Sequence, residues 1–218
     1  MLVSERLRLR AMLGIFSAIS LVISIALLLF PEVVAAFFGG SLNPVIVLPI
    51  AYSYLLYEIA AYIALTRAMS KNSAPSKFWG YANALVESSI PTLMTYAIGT
   101  VVTPSISVFL PPVFLYFVFI VLSALRLDQK LVWFAGVCCA VQYFLLSYFS
   151  TEGFHLSAEI PEIFTAFQHH AAKALLLLFV TAATVLVVRE LQKRLLNSLE
   201  QAQEQQKILS IFGQHVSP

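Results

Sequence analysis

Six long apolar runs, separated by short polar stretches, dominate the pattern of hydrophobic and polar positions along the chain. A helix that crosses a bilayer needs about 20 consecutive, mostly apolar residues. The runs that meet this requirement predict spans at about 11–30, 45–66, 78–99, 106–125, 131–149 and 170–188. The prolines that interrupt the third and fourth runs are Pro91, Pro104, Pro111 and Pro112. Because broken helices survive at membrane depth only when protein buries them, a five-helix or re-entrant arrangement is the alternative.

The pattern changes after Arg189, where strong helix formers without Gly or Pro extend over 190–212. We expect this segment to continue the sixth span into the cytosol as one helix. Positions in alternating steps of four and three form a seam of the kind found in coiled coils. The seam comprises Leu191, Leu195, Ser198, Ala202, Gln205, Leu209 and Phe212. Small or polar residues in the middle of the seam would pack poorly. The segment is therefore either a solvated helix that caps the bundle or a marginal dimeric coiled coil that switches register.

These patterns together predict an all-α, polytopic membrane protein, a six-transmembrane-helix bundle with a C-terminal cytosolic signalling helix. The expected divisions are a cytoplasmic N-terminus (1–10), a transmembrane sensor or anchor domain (11–189), a transducer helix (190–212) and a terminal segment (213–218). Composition agrees with a membrane protein, because 60% of the residues are hydrophobic and only 11% are charged. Soluble domains carry about 25% charged residues, so a water-soluble fold is excluded.

Basic residues concentrate on one side of the predicted bundle. All 13 Lys and Arg residues except Lys173 lie before the first span, after the sixth, or in the connections after the second and fourth spans. Because cytoplasmic loops carry an excess of Lys and Arg, this distribution predicts that both termini are cytoplasmic. The basic clusters are short and lie at membrane edges, so nucleic acid is not an expected partner.

Ionisable residues within predicted spans have an unfavourable free energy of insertion, so they are functional candidates by default. Helix rise places Glu58 and Glu87 at similar depth, with Gln142 close to the same level. The predicted polar layer comprises Glu58, Asn83, Glu87, Pro91 and Gln142. It is either structural, with protonated carboxyls in interhelical hydrogen bonds worth about 1 kcal/mol each, or a sensing site at which a ligand or proton changes helix packing.

A second group of polar residues lies toward the outer side. Its candidate members are His155, His169, His170 and Lys173, with Glu159 or Glu162 as the expected partner of Lys173. Lys173 either extends its ammonium group to the interface or contacts a ligand. The histidines lack the spacing of a metal site, so no metal or haem is expected.

No catalytic motif occurs in the chain. A phosphate-binding loop, a Ser/His/Asp set and a Cys/His cluster are all missing from the sequence. Cys138 and Cys139 are adjacent in the fifth predicted span and are expected to be reduced, packed thiols. We therefore expect no catalytic residue and no cofactor in this stretch.

The C-terminal phrase KILSIFGQHVSP, from Lys207 to Pro218, resembles the start of class III adenylate/guanylate cyclase catalytic domains. In that family a helical transducer leads into a motif of the form F-G-x-[YH]-V-S-P. The matching positions are Phe212, Gly213, His215, Val216, Ser217 and Pro218. The segment YANALVESSIPTL, Tyr81 to Leu93, is similar to a phrase in some bacterial cyclase anchors. The specific resemblance covers about a dozen residues, and the six-span architecture accounts for the rest.

The resemblance implies a membrane anchor and receptor region of a bacterial class III cyclase, which regulates conversion of ATP to cyclic AMP by a C-terminal domain. It implies a homodimer in the bacterial inner membrane, a small hydrophobic or lipid-like ligand, and Mg²⁺ or Mn²⁺ with ATP in the catalytic domain. The transducer positions would be Leu191, Leu195, Leu209, Phe212 and Gly213. The resemblance leaves the choice between ATP and GTP open, and the family's metal-binding aspartates have no counterpart here.

Three alternatives remain at this stage. The helix after the sixth span could feed a histidine kinase or a diguanylate cyclase. The bundle could be a small transporter or channel, with Glu58 and Glu87 on its pathway. It could also be a purely structural anchor that senses nothing.

Overall fold

The computed structural model describes residues 2–38, 43–70, 77–101, 104–151 and 166–216. The helices are α1 (Leu2–Leu29), α2 (Pro31–Phe38), α3 (Pro44–Ser70), α4 (Lys77–Gly99), α5 (Pro104–Ser107), α6 (Leu115–Ser123), α7 (Gln129–Ser150) and α8 (Phe167–Val216). Two 3₁₀ turns, Pro111–Phe114 and Ala124–Arg126, flank α6. Each regular element within these ranges is helical, which confirms the predicted all-α class.

Among the described residues, five helical stretches are long and apolar enough to cross a membrane. They are Glu5–Leu29, Pro44–Ser70, Pro104–Arg126, Gln129–Ser150 and Phe167–Lys207. Such helices indicate a membrane-embedded protein, as the sequence predicts. Helix α4 corresponds to the predicted third span but is more polar and is not one of the five. The count of six spans and the coiled coil therefore stay predictions.

The fourth predicted span, 106–125, is not one continuous helix. Its backbone is extended at Leu110 (φ −78°, ψ 162°) before a 3₁₀ turn that begins at Pro111. Proline restricts the residue before it to extended conformations. Pro111 and Pro112 also lack the N–H groups that a helix would use. The break therefore follows from the two prolines that the sequence analysis noted.

The junction between α6 and α7 is a tight reversal. Leu127 adopts a left-handed conformation (φ 51°) directly after the Ala124–Arg126 turn. Asp128 then caps α7, because its carboxylate accepts hydrogen bonds from the N–H groups of Lys130 (2.9 Å) and Leu131 (3.3 Å). A side-chain oxygen at this position satisfies N–H groups that have no partner within the helix. The reversal fixes where Arg126 lies relative to α7.

The long helices cross the molecule in alternating directions. The residues that meet at its two ends differ in chemistry. We call the end that holds Arg8, Gly80 and Arg126 the charged end. At the other, apolar end, α1, α3, α4 and the residues before the first 3₁₀ turn pack through Leu27, Val47, Ile98 and Leu110. Between the ends lies an aromatic and aliphatic core made of Met12, Phe16, Tyr54, Ile90, Met94 and Phe119. The charged end is therefore separated from the apolar end by a packed middle layer.

Helices α7 and α8 approach each other closely at Gly136. A Cβ atom at this position would overlap the side chain of Thr181 on α8. Glycine therefore permits the close approach. Tyr143 and Cys139 of α7 pack with Leu177 of α8 in the same buried cluster. The two helices thus form a tightly fitted pair, and both cysteine thiols in the fifth predicted span are free.

Candidate functional site

A buried ion-pair cluster occupies the charged end, with the carboxylate of Glu87 on α4 at its centre. Arg8 of α1 donates from Nη1 to Oε1 of Glu87 (2.6 Å), and Arg126 donates from Nη2 to Oε2 (2.9 Å). Asn83, one helical turn earlier on α4, donates from Nδ2 to Oε1 (2.6 Å). The side chains of Arg8 and Arg126 are 0% and 1% exposed, so both pairs are shielded from solvent. Three segments distant in sequence meet at one carboxylate.

Both arginines have further partners. Arg8 also binds Glu5, with Nη2 to Oε1 at 2.8 Å and Nε to Oε2 at 3.2 Å. Arg126 donates from Nη1 to the backbone carbonyl of Gly80 (2.6 Å). A guanidinium group presents donors in a rigid fork, which suits such paired contacts better than an ammonium group does. We refer to Glu5, Arg8, Asn83, Glu87 and Arg126 as the Glu87 cluster.

Two neighbouring tyrosines of α3 bind this cluster and Glu58 separately. Tyr57 donates its hydroxyl hydrogen to Oδ1 of Asn83, and Tyr54 donates to Oε1 of Glu58 (2.6 Å). Glu58 is completely buried and lies within the range of charge–charge interaction with Glu87. Among the described residues, Oε2 of Glu58 and Nε of Arg126 are buried without a hydrogen-bond partner. Glu58 therefore belongs to the surroundings of the cluster but makes no ion pair with it.

The sequence analysis predicted part of this arrangement. The structure brings Glu58, Asn83 and Glu87 to the same level, and Pro91 is buried one turn further along α4. Gln142 lies close to this depth but contacts another face of α4, because it accepts a hydrogen bond from Thr92 (2.8 Å) and donates to Ser89 (3.1 Å). Helix rise estimates the depth of a residue but not the direction in which its side chain points. Gln142 thus forms a second polar group between α4 and α7.

The two arginines were missed as members of the site. Their positions next to predicted spans indicate basic residues at the cytoplasmic edge. Helix α1 begins at Leu2, so Arg8 lies within it and faces α4. The sequence does contain a sign of these ion pairs, because an acidic residue within a span occurs together with arginines at the ends of neighbouring spans. Glu5, three residues before Arg8, strengthens that signal because residues three apart share a helix face.

The candidates on the predicted outer side do not form a metal site in the described part of the chain. No group of three or more His, Cys, Asp or Glu side chains there is arranged to hold a metal ion. Lys173 places its ammonium group 3.6 Å from the ring centroid of Phe109. His170 is buried and lies 3.1 Å from the Tyr143 hydroxyl through Nδ1, and the ring of His169 lies 5.1 Å from that of Phe109. His155, Glu159 and Glu162 lie outside the described residues.

The transducer positions fall on the C-terminal half of α8. Leu191 and Leu195 are 40% and 49% exposed. Leu209, Phe212 and Gly213 belong to the helical backbone, but their side chains lie outside the described part. Gln192 attaches α8 to the junction before α7, because it donates to the backbone carbonyl of Leu127 (2.7 Å) and accepts from Gln129 (2.7 Å). From Lys193 to Lys207 all residues are exposed.

Comparison of the chain with protein-family models, with curated proteins and with solved structures gives no match. The geometry described above and the residues of the C-terminal segment therefore carry the functional inference.

Proposed function

We propose that the chain is the membrane anchor and receptor module of a class III cyclase, acting through a dimeric transducer helix. The observation that carries this proposal is the continuity of α8. It is one helix of 50 residues, which begins inside the bundle and ends at Val216, within the phrase that resembles a cyclase domain. A continuous helix transmits rotation or displacement, whereas a flexible linker would not.

The contacts at the charged end support a route from the bundle to this helix. Arg126, held by Glu87, is followed directly by Leu127, whose carbonyl oxygen accepts the hydrogen bond from Gln192 of α8. Beyond Gln192 the helix is exposed. A displacement of the Glu87 cluster as a rigid unit would therefore move the last described attachment point of α8 before it leaves the bundle. An effect at a distance requires an element with two arrangements, and we infer that the position of this attachment point is that element.

The topology that accompanies the proposal is six spans with both termini cytoplasmic, in a bacterial inner membrane. Helix α1 begins at the charged end, and α8 leaves the bundle at the same end. Apolar residues on the exposed part of α8 include Leu195, Leu196 and Leu199, which are 49%, 61% and 60% exposed. A second copy of the helix would cover part of this surface, which favours the homodimer.

Two alternatives are less well supported. A transporter or channel would need carboxylates that cargo can reach. Glu87 is engaged by Arg8, Arg126 and Asn83, and Glu58, although one of its oxygens has no partner, is completely buried. A histidine kinase or diguanylate cyclase could use the same helix, but the terminal phrase favours a cyclase. The expected catalytic domain would use ATP with Mg²⁺ or Mn²⁺.

The proposal is tested by joining the chain after Pro218 to the catalytic domain of a class III adenylate cyclase. One to seven alanines are inserted after Glu200, in the exposed part of α8, and cyclic AMP formation is measured in membranes. We expect insertions of two to four residues to change activity by about fivefold or more, a typical coupling. An insertion of seven restores the heptad phase and should restore activity. Equal activity at every length would contradict the proposal.

A further inference from the structure

A cavity of about 300 Å³ lies at the apolar end, on the side of the molecule away from the Glu87 cluster. Its walls come from α1, α2, α3, α4 and the segment that contains the first 3₁₀ turn. Representative lining residues are Ile23, Ala26, Val34, Val47, Met94 and Leu115. The walls expose almost no polar atoms. The cavity is partly open rather than sealed.

The cavity lies beside the break in the fourth apolar segment. Pro111 and Pro112 line it, and they belong to the 3₁₀ turn that interrupts this segment. Leu110, directly before the turn, packs with Leu27 and Ile98. The cavity therefore lies where the two prolines interrupt the helix, next to this packed cluster.

We propose that this cavity binds a straight hydrocarbon chain of about twelve carbon atoms. An apolar cavity of roughly 150 Å³ in a protein core holds one benzene molecule, so about twice this volume accommodates about twice as many carbons. A polar ligand group would lose its hydrogen bonds to water and gain none from these walls. The part of the ligand inside the cavity is therefore an unsubstituted alkyl chain, and any polar head group remains outside.

The binding energy comes from packing and not from exclusion of water. Lipid tails are as apolar as the cavity walls, so a chain that moves from the bilayer gains little hydrophobic free energy. Wall atoms next to an empty space lack dispersion partners, and a fitting chain supplies them. Because each added carbon adds contacts only while space remains, binding should depend on chain length, with an optimum near twelve carbons.

This inference stands without the proposed function, since binding needs no catalytic domain. If the chain is a receptor module, the cavity gives the chemical class of its ligand. The test below measures binding alone, so its failure would leave the proposal of a cyclase anchor to be judged by the insertion series.

The experiment uses the purified chain in nanodiscs of phosphatidylcholine and a dodecanol probe that carries a photoactivatable diazirine near its methyl end. After irradiation, adducts are mapped by mass spectrometry. We expect adducts concentrated on Ala26, Val47 and Met94, reduced by excess dodecanol and less by hexanol or octadecanol. A second arm carries the diazirine on the acyl chain of phosphatidylcholine. Labelling of these residues by the dodecanol probe identifies a free amphiphile and supports the proposal. Labelling of the same residues by the phosphatidylcholine probe that excess dodecanol does not reduce would show that a longer bilayer acyl chain fills the cavity, and would overturn the proposal.

Matched variants distinguish the cavity from general contact with lipid. Ala26→Phe places a ring in the cavity and should reduce labelling at Val47 and Met94 by about tenfold, a differential of about 1.4 kcal/mol. Ala18→Phe makes the same change at an exposed position on α1 and should leave labelling unchanged. If Ala26→Phe does not fold, Val34→Phe on α2 and its exposed neighbour Val33→Phe provide a second pair. Two results would overturn the inference. One is adducts spread evenly over lipid-facing residues in both arms, and the other is equal labelling of Val47 and Met94 in the Ala26→Phe and Ala18→Phe variants.

Discussion

The two ends of the bundle are held together by different interactions. At the charged end, Glu87 is held by directional contacts of 2.6–2.9 Å from Arg8, Arg126 and Asn83. At the apolar end, Val47 and Ile98 pack through side chains without directional bonds and beside a cavity of about 300 Å³. Buried ion pairs specify one arrangement more than they increase stability. The charged end is therefore expected to be rigid, and the apolar end to adapt.

This difference has a consequence for signalling under the proposed function. The exposed part of α8 leaves the molecule at the charged end, next to Gln192. A ligand in the cavity would act at the opposite end and reach α8 through the packed middle layer. An adaptable input end and a rigid output end suit a receptor, because a small change in packing is passed on and not absorbed.

Removal of the central carboxylate should produce the largest effect. Glu87→Gln leaves Arg126 buried without the carboxylate that pairs with it, and leaves Arg8 with Glu5 alone. Loss of one partner from a buried pair costs about 3–5 kcal/mol. We expect a decrease of this size in the free energy of unfolding, measured by denaturant titration of the purified protein in detergent micelles.

The control for this measurement is Glu190→Gln, which removes an exposed ion pair with Arg194 at 2.9 Å. Exposed pairs of this kind contribute little to stability, so no measurable change is expected. If both variants unfold at the same denaturant concentration as the unmodified protein, the Glu87 cluster does not order the charged end.

A smaller effect is expected at the contact between α7 and α8. Gly136→Ala introduces a Cβ atom that overlaps the side chain of Thr181. Overpacking of this type costs about 1–3 kcal/mol. Thermal unfolding should show a decreased melting temperature, because the helices must move apart to admit the methyl group.

Gly14→Ala on α1 is the matched control, since nothing lies within 4 Å of a Cβ atom there. Alanine is the better helix former by about 0.5–1 kcal/mol, so this variant should be slightly more stable than the unmodified protein. Equal responses of the two glycine variants would show that α7 and α8 are not closely fitted.

The comparison of the two ends also shows what the sequence could predict. Apolar run lengths were enough for the all-α class and for the approximate positions of the long helices. Glu58 and Glu87 were selected because charges within spans are costly. Arg8 and Arg126 were missed because basic residues near span ends are usually membrane-edge charges. Only the packing of α1 and the turn after α6 against α4 turns them inward.

The apolar end was harder to predict. The prolines predicted a break in the fourth segment. A break alone does not show whether neighbouring side chains fill the space beside it. Gln142 illustrates the same limit, since its partners Thr92 and Ser89 depend on the rotation of α7 about its axis. Depth follows from helix rise, whereas rotation and cavity volume depend on contacts with several helices at once.

The central claim is that the charged end controls α8 through Arg126, Leu127 and Gln192. The most direct test is a double-mutant cycle of Arg126→Lys and Gln192→Leu in the cyclase fusion, with cyclic AMP formation as the readout at matched membrane levels. Arg126→Lys keeps the charge but loses the fork-shaped geometry. We expect each change alone to alter activity by about fivefold, within the usual range of coupling, and the double variant to differ no further. Effects that multiply, or single variants with unaltered activity, would contradict the claim.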